Sequence, residues 1–201
     1  MMNDDNSVNI NESIRGYHHG ALRSALLATG MRLLEASDAE HLSLREIARK
    51  TGVSATAVYR HFPDKGSLLF ALACEGMAKL GQKQAAAAAV GGPEGFAASG
   101  RAYVRFALDN PALFRLVFSH MSSDVGQVQS APEGSAGWIL QHGVAEMMGT
   151  TATSEQQLVG MLRAWSLVHG LSMLILDKQI DLATGEALID QVVGADSINL
   201  G

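Results

Sequence analysis

The 201-residue sequence predicts an all-α protein, with a three-helix N-terminal unit built on a helix-turn-helix and a larger helical domain behind it. Three observations carry this. The stretch from Leu42 to Leu69 is punctuated as two short helices joined by a tight turn, with a further helix starting after it. Hydrophobic residues make up 47% of the chain but aromatics only 5%, which suits helices packed through Ala, Leu and Met. Beyond Leu69, apolar residues recur at helical spacing as far as Asp177.

Taken in order, residues 1–14 are polar and Asn-rich, lack an apolar period and read as a flexible arm. Arg15-Gly16-Tyr17-His18-His19-Gly20 leads into a first helix expected from about His19 to Ser37, with Leu22, Leu26, Leu33 and Leu34 as its apolar stripe. Arg15 either reaches a phosphate or minor groove or is simply solvated. The His pair has no acidic or thiol partner nearby and reads as helix initiation rather than a metal site.

The next joints are set by local chemistry. Ser43 with Glu46 three residues on is a capping-box pattern, and Leu42 with Ile47 has the spacing of a hydrophobic staple. Gly52 stands where a left-handed residue ends the helix. Ser54 caps a second helix running to about Phe62, stopped by Pro63. Ala55, Val58 and Phe62 are expected inward, and the core of the unit to include Leu26, Leu33, Leu44, Ile47, Val53, Val58 and Phe62. Asp64 caps a fourth helix, Ala-rich and reaching about Val90, on which Cys74 is expected buried. Gly91-Gly92-Pro93-Glu94-Gly95 marks a break. A helix over 96–108 then carries Tyr103, Phe106 and Ala107 inward. Asn110-Pro111 opens another with Leu113, Phe114, Val117 and Phe118 as its apolar face. Residues 122–134 form a polar loop. Two long helices follow, at about 135–148 and at about 154–177 with Ser154 as cap, then a short one at about 185–193.

The net charge is −5, which by itself argues against nucleic acid, yet the charge is uneven: the segment Ser43–Lys65 is +3 and the remainder −8. A basic face on an acidic body still binds phosphates. Cys74 is the single cysteine, so no disulfide framework exists. No signal-peptide core is seen at the N-terminus and no apolar run is expected to reach membrane-spanning length, so a soluble, cytoplasmic protein is expected.

The second short helix presents Thr56, Ala57, Arg60 and His61 on its polar face, with Tyr59 at the edge. A helix of this size fits the DNA major groove, its first residues meeting base edges. The run Gly-Val-Ser-x-x-x-Val-Tyr-x-His-Phe-x-x-Lys-x-x-Leu, Gly52 to Leu68, resembles the DNA-binding signature of tetracycline-repressor (TetR) family regulators. The resemblance implies a DNA-binding domain at 15–63, with Ser43, Arg45, Ser54, Thr56, Ala57, Tyr59, Arg60, His61 and Lys65 as DNA contacts. Tyr59, His61 and Lys65 fall at or near phosphates, and Thr56, Ala57 and Arg60 near bases. Ser43 and Ser54 also have a sufficient role as caps.

Trp165-Ser-Leu-Val-His169-Gly170, with Phe106-Ala-Leu-Asp-Asn-Pro111-Ala-Leu-Phe-Arg-Leu, resembles the Trp-His-Gly type of TetR-family ligand-binding domain. That implies a ligand-binding and dimerisation domain at 64–201. Phe106, Phe118, Met121, Met147, Trp165, His169 and Met173 are most simply core, but are also the candidates for a pocket wall. The helix at 154–177 is apolar nearly all round and must be covered on more than one side, which argues for a homodimer through the last two long helices. The expected function is a repressor that binds a palindromic operator as a dimer and is released by a small, mainly apolar effector. Alternatives are an activator or ligandless regulator of the same fold, or a small helical enzyme using His169. No catalytic residue, metal site or cofactor is assigned: no phosphate-cradling loop, zinc spacing or nucleophile-histidine-acid arrangement stands out.

Overall fold

The computed structural model describes residues 9–120 and 131–195, with side chains from residue 20 onward. Among these residues it has nine α-helices, one 3-10 turn and no strand. The chain divides into two compact units, Met1–Leu72 and Ala73–Gly201. Of the expectations above, Arg15, the His18-His19 pair, Met121 and most of the 122–134 loop lie outside the described side chains, as does the arm before residue 9.

The first unit contains α1 (Asn9–Ala36), the 3-10 turn Ala39–His41, α2 (Leu44–Thr51), α3 (Ala55–Tyr59) and the start of α4 (Lys65–Ala88). Helix α1 begins at Asn9 rather than His19, so the last residues assigned to the arm are helical. The reason is permissive: no proline interrupts residues 9–36, and each interior glycine costs only about 1 kcal/mol against alanine. Helix α1 packs on α2, and α2 on α3. Leu26, Leu34, Leu44, Ile47, Val58 and Phe62 are buried together with Leu27, Met31, Leu42, Leu68 and Leu72. Leu33 and Val53, expected in this core, are only half-buried. Ala55 is exposed, not inward, because it opens α3 directly after its cap and lies on the outer side of the first turn. Thr51 Oγ1 donates to the buried Thr29 Oγ1 at 3.1 Å and Arg32 Nη2 donates to the same oxygen at 3.2 Å, which pins the end of α2 to α1.

The second unit holds the rest of α4, then α5 (Gly92–Asp109), α6 (Pro111–His120), α7 (Ala136–Met148), α8 (Ser154–Leu176) and α9 (Leu182–Val192). Helix α5 is its centre, packing on α6, α7, α8 and α9, while α8 also packs on α7 and α9. The expected break at residues 91–95 narrows to Gly91, at φ 75°; Gly92 already begins α5, and Pro93 sits in a first turn that needs no N–H from it. Thr153, not Ser154, caps α8: its side chain accepts from Gln156 N at 3.2 Å and Gln156 Oε1 accepts from Thr153 N at 2.8 Å, a complete capping box. Helix α9 starts at Leu182 rather than Gly185, because Asp181 Oδ1 accepts from Thr184 N at 3.0 Å and caps it earlier. Arg101 on α5 ties α9 down, bonding to Val193 O at 3.1 Å and pairing with Asp190 and Glu94.

Two further expectations are corrected. Cys74 is exposed rather than packed, since the α4 residues that turn inward around it are Ala71, Leu72, Ala73 and Gly76. Helix α8, over Ser154–Leu176, is long and apolar enough to cross a membrane by length and composition, because its apolar residues occupy nearly every side of the helix.

Candidate nucleic-acid interface and effector site

The turn between α2 and α3 is built almost wholly from short-range bonds. Ser43 Oγ accepts from Glu46 N at 3.1 Å and caps α2. The reciprocal half of the capping box is replaced by an ion pair, Glu46 to Arg49 at 3.7 Å. Gly52 takes φ 76°, ψ 30°, its N–H bonding back to Ala48 O, and this left-handed residue turns the chain into α3. Ser54 Oγ accepts from Ala57 N at 3.2 Å. Each cap contributes about 1 kcal/mol. The helix proper is shorter than expected, ending at Tyr59, but a last turn follows in which Val58 O accepts from both His61 N and Phe62 N at 2.9 Å. Asp64 Oδ1 accepts from Ser67 N at 2.7 Å and starts α4.

This architecture fixes which side of α3 is out. Val58 and Phe62 are fully buried, so Thr56, Tyr59 and Arg60 are exposed, with Tyr59 47% accessible. Ser43, Arg45 and Ser54 are exposed too; Ala57, His61 and Lys65 are half-buried. Lys65 Nζ donates to Glu40 O at 2.5 Å, so this ammonium also holds the 3-10 turn and has two N–H donors left for another partner. Arg23, exposed on α1, lies with its guanidinium 5.4 Å from the centroid of Phe62. The reading of the Leu42–Leu69 stretch missed it, because Arg23 joins that stretch only through tertiary packing.

In the second unit the residues of the Trp-His-Gly motif meet an aromatic cluster. Tyr103 Oη lies 2.8 Å from His169 Nδ1 and accepts from Trp165 Nε1 at 3.3 Å. The Tyr103 hydroxyl thus joins the indole to the imidazole, and which of Oη and Nδ1 donates is set by the His169 tautomer. The rings of Phe114 and Phe118 flank His169 at 5.5 and 4.9 Å between centroids. Phe118 and Trp165 are 6.4 Å apart. Of the pocket candidates, the fold thus brings Phe118, Trp165 and His169 together and adds Tyr103 and Phe114, which the sequence marked only as inward-facing. Phe106 is fully buried with Lys83 Nζ 5.9 Å over its ring, while Met147 and Met173 are half-buried. A separate cleft of 520 Å³ opens between the end of α4, the start of α5 and α7, and none of the pocket candidates lines it.

Burial pushes the Tyr103 phenol well above its ordinary range, offset in part by the Trp165 bond, so it stays protonated at any physiological pH. Burial holds His169 below its ordinary value, because the imidazolium is poorly solvated there. As pH falls through about 6.5 the unfolded chain takes up this proton first, so the stability tied to His169 is full above that pH and declines as pH falls towards the depressed folded value. Melting temperatures of the wild type and His169→Gln, compared at about pH 7.5 and 5.5, are expected to show a smaller acid loss in the variant. Equal losses would mean that His169 titrates alike in both states. Among the described residues no three His, Cys, Asp or Glu side chains converge to hold a metal ion.

A capped two-helix turn over a small core, with a short helix held polar side out, defines a helix-turn-helix DNA-binding regulator. Residues 26–72 match the family model of bacterial regulatory proteins of the tetR family, and residues 96–195 match that of the tetracyclin repressor-like C-terminal domain. A protein with unknown function from Rhodococcus sp. RHA1 is similar in structure with a TM-score of 0.67 and 28% identity, over 90% of this chain and 95% of that one. A TetR transcriptional regulator from the same strain is similar at TM-score 0.51 and 17% identity, over 89% and 94%. The TetR family regulator PfmR from Thermus thermophilus is similar at TM-score 0.51 and 18% identity, over 84% and 96%. The chain belongs to the TetR family of transcriptional regulators.

Proposed function

We propose that this regulator is a ligand-responsive repressor that binds a palindromic operator as a homodimer, acts in the cytoplasm and catalyses no reaction. The observation that carries the reading is the outward polar side of α3, exposing Thr56, Tyr59 and Arg60 over a buried Val58 and Phe62. Thr56, Ala57 and Arg60 are placed to meet bases, Arg60 as a fork on guanine and Ala57 on a thymine methyl. Tyr59, His61, Lys65, Ser43, Ser54 and Arg45 serve the phosphates and fix register. A mobility shift with the DNA flanking its own gene, at two salt concentrations, tests this. Binding that weakens steeply with salt supports it, and no binding at low salt refutes it.

Arg23 belongs to the same surface. Arg23→Gln is expected to weaken binding to every sequence by a similar factor and to lower the slope of log affinity against log salt by about 0.9. An unchanged slope would leave Arg23 only as a cover for Phe62.

The dimer reading rests on α8. Val159, Leu162 and Leu174 are exposed at 41, 39 and 46%, and Ser166 and Gly170 share their side of the helix. Such a stripe on an isolated subunit is explained by a second helix pair laid against it. The effector is assigned to the Tyr103–Trp165–His169 cluster, where apolar rings surround one fixed imidazole. An effector releases DNA only by preferring the state whose reading heads miss the spacing of roughly 34–36 Å set by one DNA turn.

His169 does not favour the enzyme alternative: its Nδ1 is taken by Tyr103, and its other near neighbours are the rings of Phe114, Phe118 and Trp165.

A further inference from the structure

We infer that Gln84 and Ser99 form a two-position hydrogen-bond switch at the seam between α4 and α5, which gives the second unit two ways of holding α4. Both side chains are closed off from solvent, Gln84 at 7% and Ser99 at 2% exposure. Among the described residues Gln84 is the buried polar side chain of α4. Elsewhere this part of the helix is held by contact alone. A Cβ on Gly76 would stand 2.7 Å from Val117 and 2.8 Å from Leu113 of α6, and one on Gly81 would stand 3.1 Å from the backbone of Ala136 in α7. Such contacts set how near α4 lies, but they carry no directional bond.

The Gln84 amide is only half used. Its Nε2 donates to Ser99 O at 3.4 Å, longer than the usual range of about 2.7–3.2 Å, and no donor among the described residues reaches its Oε1. That bond also fixes which amide atom is which, since the reverse would set two acceptors against each other. Ser99 Oγ meanwhile donates to Phe96 O at 2.7 Å, one turn back in its own helix. Inside α5 that carbonyl already takes the N–H four residues on, so it needs little from the hydroxyl. One proton thus stands between a satisfied carbonyl and an unsatisfied amide oxygen. Rotation of Ser99 about χ1 moves the hydroxyl from Phe96 O to Gln84 Oε1 and draws α4 towards α5 at that point. The first arrangement leaves a buried acceptor unpaired, which is unfavourable. The second presses α4 closer to α5 where the two already touch, a Cβ on Gly95 falling 2.6 Å from Ala88 O. Each arrangement carries its own penalty, and that balance is what makes a two-position element. Helix α4 is unbroken from Lys65 to Ala88, so Gln84 rides on the same helix as Lys65 of the DNA surface. What the switch means for DNA rests on the repressor reading; the switch itself does not.

The test is a double-mutant cycle on the full chain, without DNA, read by melting temperature and by NMR relaxation dispersion. Gln84→Met keeps the side-chain length and removes the unpaired oxygen. Ser99→Ala removes the hydroxyl and leaves Ser99 O in place. Dispersion is expected at the amides of residues 84 and 99 in the wild type and in neither variant. Gln84→Met is expected to raise the melting temperature by about 2–4 °C, and Ser99→Ala to lower it by a similar amount. Once residue 84 is Met, Ser99→Ala is expected to have little effect, because the acceptor it would serve is gone. The wild-type dispersion needs no variant to fold. Its absence overturns the switch, as does dispersion that persists in both variants. An equal effect of Ser99→Ala on both backgrounds overturns it too and leaves Oε1 to a buried water. Since no DNA is present, failure here leaves the repressor reading standing.

Discussion

Phe62→Ala is expected to remove about 3–5 kcal/mol from the first unit and DNA binding with it. Phe62 is 1% exposed, closes the last turn after α3 and carries Arg23 over its ring. A unit of this size has little to spare, since whole domains are stable by only about 5–15 kcal/mol. Hydrogen exchange on the full chain should show lost protection over residues 26–72, with residues 96–195 retaining theirs. Operator affinity should fall more than about a hundredfold, each 1.4 kcal/mol being tenfold. Lost binding with native protection would instead make Phe62 a direct DNA contact and overturn the packing account of how α3 is oriented.

Gly170→Glu should break the dimer while leaving the subunit intact. A Cβ at Gly170 meets no atom within 4 Å, so the backbone there is open to a side chain. Replacing a mid-helix glycine also favours the helix by roughly 0.5–1 kcal/mol. On the proposed interface, however, two carboxylates are brought face to face in an apolar seam. Sedimentation should show a monomer melting no lower than the wild-type subunit. Operator affinity should fall about 10²–10⁴-fold, because the second half-site is no longer bound by the same particle. A dimer that survives Gly170→Glu places the interface elsewhere.

Much of the reading head was legible in the sequence because its structure is local. Ser43, Gly52, Ser54 and Asp64 each act on residues three or four away, and the caps and turn stand where that chemistry puts them. Features that depend on tertiary packing were not legible. Cys74 looked like a core residue by type, yet the side of α4 it occupies is open. Tyr103 was marked as inward-facing, but nothing in its spacing says that it bonds both Trp165 and His169, which lie more than sixty residues away. The cleft along α7 was missed for the same reason, because its shelf is alanine and glycine, which carry no chemical signal until a fold surrounds them with Trp138 and Glu146. The break at Gly91 was found but drawn too wide, since the proline two residues later starts a helix rather than prolonging a loop.

The most direct measurement places a photo-cross-linking benzoylphenylalanine at Thr56 and, as a control, at exposed Glu75 on α4, and irradiates each with the DNA flanking the gene. The account predicts protein–DNA adducts from position 56 and none from position 75. Absence of DNA adducts at 56, or adducts there only between two copies of the protein, would contradict it.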